Sequence, residues 1–219
     1  MKSLISIFAA TILVFFSFES NAANQTLTRE EALLFTKQFI DDGKALAKQH
    51  TDLTREPSPE LKKKFHDFLV TKIANGTARS ILGRVILSAV ADQENYIKNF
   101  ISQFVGYEVK FYGSPEKMKV FQEAGYDEKT AKVELSPDQR MAKVEISFFY
   151  DGKTAAVQFY IIKENGALKL DDLGLEGISQ KSNQTSEIRA FYSAPDKGDG
   201  KPQTFLTWFT NTVNAYLNR

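Results

Sequence analysis

The spacing of apolar residues changes period once along this chain, and no other sequence feature restricts the fold so strongly. Before Gly113-Ser114-Pro115 they recur three and four apart, the rhythm of helices that bury one stripe; afterwards they alternate, the rhythm of strands that bury one face. Thr28 and Glu31 form a capping box for a helix reaching about His50, with Leu33, Leu34, Phe35, Phe39, Ile40 and Leu46 inward. Ser58-Pro59-Glu60 opens a second, carrying Leu61, Phe65, Phe68, Leu69 and Ile73 and ending at Asn75-Gly76. Thr77 starts a third, with Ile81, Leu82, Val85, Ile86 and Val90 inward, and Asp92 caps a fourth that runs toward Tyr112. Met118 and Val120 then begin the period of two. It continues through Ala131, Val133 and Leu135, through Ala142 to Tyr150, and through Ala155 to Ile161. Asp151-Gly152 and Asn165-Gly166 are hairpin signals that make the strands an antiparallel meander. A short helix is expected over Ser186 to Tyr192 and a closing one over Pro202 to Leu217. The class is α+β: N-terminal helices packed on a curved antiparallel sheet, a hollow between the layers, and C-terminal helices.

The N-terminus reads as a cleaved signal peptide over residues 1–22. Lys2 precedes an apolar run from Leu4 to Phe18, and Ser20-Asn21-Ala22 supplies small residues at the cut. The run falls short of the ~20 residues a membrane-spanning helix needs. The remainder, residues 23–219, is expected to form one exported domain. It has no cysteine, so its stability must rest on an apolar core. Removing Lys2 and Glu19 leaves 27 bases against 26 acids, the same net charge of +1, which argues against nucleic acid as a partner.

Little in the sequence suggests catalysis. His50 and His66 stand outside any metal or triad spacing and read as structural, no cysteine nucleophile exists, and no metal site is expected. Asp171, Asp172 and Glu176 lie close together, but adjacent strand residues point to opposite faces, so the acids read as a polar strand end. One internal acid in a curved sheet is the arrangement of ketosteroid-isomerase-like enzymes, which leaves an enzyme acting on an apolar small molecule as the alternative. Lys62-Lys63-Lys64 reads as a solvated helix face. The sequons at Asn24, Asn75 and Asn183 read as polar turns.

The end of the meander carries a more particular signal. Asp171-Asp172 is followed by Leu175-Glu176-Gly177-Ile178-Ser179 and the Ser186-Glu187 pair. Upstream stand Leu82-Gly83, Asp92-Gln93-Glu94, Phe100 to Phe104, Tyr107 and Tyr112-Gly113. In this order the residues resemble the MlaC family, also called the toluene-tolerance family, of periplasmic phospholipid-binding proteins, over nearly all of the chain after the leader. The chain departs from the family in carrying Thr185 where an arginine often precedes the Ser-Glu pair.

The resemblance implies an NTF2-like layout enclosing an apolar cavity for the acyl chains of a diacyl phospholipid, which is cargo and not a cofactor. It implies a monomeric carrier without catalytic residues that shuttles lipid for an Mla-type transport system maintaining outer-membrane asymmetry. The implied partners are an inner-membrane MCE-domain protein of an ABC transporter and an outer-membrane lipoprotein–porin complex. A related lipid such as a hopanoid is an alternative cargo, and a ligand-free envelope adaptor an alternative role. The lining is expected from Ile81, Val85, Ile97, Phe100, Ile101 and Phe104 on the helices, and from Val144, Ile146, Phe148, Val157, Phe159 and Ile161 on the sheet.

Overall fold

The computed structural model describes residues 26–219; the leader reading and the Asn24 sequon lie outside them. Five helices come first: α1 (Arg29–Ala47), α2 (Pro59–Val70), α3 (Asn75–Leu87), α4 (Gln93–Tyr112) and α5 (Pro115–Glu123). An antiparallel meander follows, β1 (Gly125–Leu135), β2 (Met141–Tyr150), β3 (Lys153–Glu164), β4 (Ala167–Leu175) and the two-residue β5 (Ile178–Ser179), paired in chain order. Helices α6 (Gln180–Ser193) and α7 (Pro202–Leu217) complete the chain. The class is α+β, with a curved, unclosed sheet.

Local chemistry sets most of these bounds. The Thr28 hydroxyl accepts from the Glu31 amide at 3.1 Å and the Glu31 carboxylate accepts from the Thr28 amide at 2.9 Å, the expected capping box. Ser58 and Asp92 cap α2 and α4 as expected. Both hairpins turn through paired positive φ values, Asp151-Gly152 at 49° and 71° and Asn165-Gly166 at 52° and 78°, the turn whose twist matches the strands.

Five expectations are overturned. Met118 and Val120 lie in α5: Ser114, Pro115 and Glu116 repeat the cap, proline and acid that open α2, so a helix forms where strand was expected. Helix α2 stops at Val70, and Ile73 instead forms a parallel bridge with Leu170, covering part of the β4 edge. Helix α3 therefore begins at Asn75. Lacking a side-chain cap of its own, it receives the Glu164 carboxylate, which accepts from the Asn75 amide at 2.9 Å and the Gly76 amide at 3.2 Å. Helix α6 begins six residues before Ser186, capped by Ser179. Leu34 is exposed, on the solvent side of α1.

Lys62 also departs from expectation. It is 1% exposed, with its ammonium 4.1 Å from the centre of the Tyr216 ring, 2.9 Å from the Glu56 carboxylate and 3.4 Å from the Tyr216 carbonyl. Its stem fills space between α2 and the end of α7 while the charge stays paired. Lys63 and Lys64 remain solvated.

Buried side chains separate into two clusters. One is helical and is built from α3, α4, α6 and α7 around Phe100, Phe205 and Phe209. The other lies between α1 and the sheet. Leu69 and Ile73, at the end of α2 and just beyond, pack against both.

Candidate functional site

The sheet presents one continuous apolar face. Register pairs Val133 with Val144, Val144 with Phe159 and Phe159 with Leu173, and one step along it pairs Ile146 with Val157, Val157 with Leu175 and Leu175 with Ile178. Directly paired residues share a face, so each set is a row across the sheet. Phe148 and Tyr126 begin a third row. All six strand residues expected to line a cavity fall on this face, and Val144, Ile146, Phe159 and Ile161 are fully buried there.

Helix α1 lies across the face and fills it with rings. Phe39 meets Phe159 at 6.2 Å between centres and Phe68 of α2 at 5.4 Å, Phe159 meets Phe148 at 6.5 Å, and Phe148 meets Tyr126 at 5.8 Å. Polar ties at the rim hold the helix in place. Glu31 pairs with Lys163 on β3 at 3.2 Å, Lys37 with Glu128 on β1 at 2.7 Å, and Asp41 accepts from the Tyr126 hydroxyl at 2.9 Å. Burial and that carboxylate together push the Tyr126 phenol up to about 12.

The cover is uneven. At one end Ala142, Ile161 and Leu170 are sealed, whereas at the other Leu175 is 47% and Ile178 59% exposed. The row that starts at fully buried Ile146 thus runs out into solvent. An apolar face graded from sealed to open suits an elongated apolar ligand, and it offers no group for acid–base work.

The helical residues expected to line the same space are elsewhere. Ile81, Ile97, Phe100, Ile101 and Phe104 lie in the helical cluster, where Phe100 stacks with Phe104, Phe205 and Phe209 at 5.8 to 6.4 Å. Val85 is in neither cluster. It is 77% exposed because Gly83, at φ 65° and ψ 176°, breaks the helical phase two residues earlier. The residues that do cover the sheet, Phe35, Phe39 and Ile40 of α1 and Phe68 of α2, were visible only as an apolar stripe.

The acids after the meander are engaged structurally. A β-bulge falls at Asp171, since Leu170 pairs with Ile161 and Asp172 with Tyr160. Asp172 accepts from the Ser179 hydroxyl at 2.6 Å and the Lys181 amide at 2.8 Å, holding the start of α6. Asp171 pairs with the Lys181 ammonium at 2.6 Å and accepts from Thr77 at 3.1 Å. The bulge therefore brings both acids to Lys181, although strict alternation would separate them. Tyr160, the partner of Asp172, faces away from Phe159, so this acid does not enter the apolar face. His50 and His66 each donate a ring N–H to a backbone carbonyl, that of Arg55 and Ser102 respectively, at 2.9 Å. Among the described residues no group of three metal-ligating side chains occurs.

No protein-family model matches the chain, and no curated protein matches its sequence. Solved structures do. A phospholipid-binding protein from Ralstonia solanacearum, determined in complex with a phospholipid, aligns with a TM-score of 0.58 over 86% of this chain and 99% of its own, at 16% identity. The two share a fold.

Proposed function

We infer that this protein binds a lipid by its acyl chains on the concave face of the sheet. The observation that carries this reading is the row from Ile146 through Val157 to Leu175 and Ile178, buried under α1 at one end and bare at the other. The shared fold with a protein solved in complex with a phospholipid supports the choice of ligand. In this reading chains enter at Leu175 and Ile178 and slide beneath α1, and the rings of Phe39, Phe148 and Phe159 exchange contacts with one another for contacts with methylenes. Two of the rim ties of α1 are partly exposed ion pairs of the kind worth about 1 kcal/mol or less each, so they yield readily.

The finer reading is a periplasmic carrier of the MlaC type, loaded with a diacyl phospholipid and moving it between outer- and inner-membrane complexes. At ~0.8 kcal/mol per buried methylene, two chains of about 16 carbons represent roughly 25 kcal/mol of apolar transfer, which makes unassisted passage through water negligible. Binding, not catalysis, is the role.

Native mass spectrometry of protein purified from its own host tests this. The expected species carries about one diacyl lipid, and Leu175→Arg or Phe148→Arg, with the fold intact by circular dichroism, strips it. Wild-type protein that arrives empty under gentle conditions sinks the reading.

A further inference from the structure

Helix α1 crosses the sheet obliquely. Its Glu31 pairs with Lys163 on β3, its Lys37 and Asp41 meet Glu128 and Tyr126 on β1, and its Lys44 ammonium donates to the Ala124 carbonyl just before β1. Lys163 lies two residues beyond Ile161 on the same face, so the helix begins over the sealed end and leaves across the β1 edge. The opposite corner, at Leu175 and Ile178, is what this diagonal leaves bare. The two ends of α1 are held differently. A β-carbon at Gly43 would stand 3.1 Å from the Phe121 ring of α5 and 3.8 Å from Phe68 of α2, so the backbone there is clasped between two helices. The Gln122 side-chain amide donates to the Ala47 and His50 carbonyls at 2.7 and 2.8 Å, and the chain runs on into α2. Within the described residues the N-terminal end is held by contacts alone. The Leu27 amide donates to the Gln139 carbonyl in the β1–β2 turn at 2.7 Å, and the ion pairs of Glu31 and Lys37 follow. Glu128, which receives Lys37, sits where the pairing of β1 with β2 lapses between Asp127 and Lys132.

We propose that the part of α1 before Gly43 is a lid, which lifts about the clasp at Gly43 when an acyl chain reaches the sealed end. The proposal rests on the lipid-binding reading and names the part of that site that moves. Ala32, Phe35 and Phe39 form the inner side of the lid and are buried against the sheet. Lifting the helix over an empty face would put these side chains and the sheet beneath them into water, so the lid stays shut until methylenes replace the lost contacts. Opening is thereby coupled to arrival of the chain, because the ligand gains contacts only in the open state. The Glu31–Lys163 and Lys37–Glu128 pairs act as latches at the rim, and being partly exposed they are weakened by salt.

The chain has no cysteine, so the two thiols of E31C/K163C are the only ones present and can be joined by a short reducible cross-linker. Uptake of pyrene-labelled phosphatidylglycerol from vesicles then tests the lid. The joined protein is expected to load at least about tenfold more slowly than the same protein after reduction, a barrier of about 1.4 kcal/mol or more. Singly modified E31C and K163C are expected to load as fast as the reduced pair. K163M, which only removes a latch, is expected to load up to about fivefold faster than wild type at low salt, with the difference closing at high salt. A joined protein that loads as fast as its reduced form overturns the lid and leaves lipid binding standing. Absence of uptake by wild type overturns both. Where circular dichroism shows the cysteine pair misfolded, K163M decides: loading no faster than wild type at low salt overturns the lid.

Discussion

Glu108 illustrates how one residue carries pH into stability. On α4 it is largely buried, one carboxylate oxygen has no hydrogen-bond partner within the protein, and Glu187 lies near. Burial first, and Glu187 second, push its carboxyl up to about 7 from an ordinary 4.5. The folded state therefore keeps a proton that the unfolded chain releases, so stability falls as pH rises between those values and stays low above them. Urea titrations are expected to lose about 2–3 kcal/mol between about pH 5 and pH 8, and Glu108→Gln to flatten that slope. The carboxylates held low, such as Glu31, Asp138 and Glu145, titrate below this window and do not mask it. Lys62 makes the complementary case, a charge held where a hydrocarbon is wanted. Lys62→Ala is expected to cost about 2–3 kcal/mol in chemical denaturation, and Lys62→Met less than half of that, because methionine restores the packing against Tyr216 without a buried charge.

Among the elements, α3 shows where strain is stored. Gly83 adopts a φ that side chains resist, and the Arg189 guanidinium occupies the space a β-carbon would need, 2.9 Å away. Gly83→Ala is accordingly expected to destabilise by about 1–3 kcal/mol; a loss under about 0.5 kcal/mol in thermal melts would show that the kink relaxes freely. The same element marks where local sequence chemistry becomes legible and where it does not. Caps read correctly at Thr28, Ser58 and Asp92, where a hydroxyl or carboxylate serves its own helix. They fail at α3, whose cap is Glu164, distant in sequence, and at α5, where Ser114-Pro115 served as both a breaker and a start. Val85 was misplaced because helical phase was carried through a glycine that resets it.

Across the described residues, Leu69 and Ile73, at the end of α2 and just after it, pack against both clusters of buried side chains. Trp208 reports on the helical cluster, while the sheet dominates the other. Unfolding followed by its fluorescence and by the strand signal in circular dichroism is expected to coincide, and Leu69→Ala to lower both midpoints together by about 2–3 kcal/mol of stability. Separate transitions would make the clusters independent units. This division also explains how far the candidate site could be read. The six strand residues were legible because a period of two assigns a face without knowing what covers it. Which helix covers that face is a matter of tertiary packing, and the apolar stripes of α1 and α4 look alike in sequence.

The bare end of the concave face has a consequence for discrimination among members of a homologous series. A closed pocket acts as a ruler, since one methylene too many must be forced against its floor. Here the row ends at Leu175 and Ile178 in open water, so surplus length protrudes at little cost. On the proposed lipid-binding reading, a protein built this way would sort its ligands by whether they have a tail, and hardly at all by how long it is.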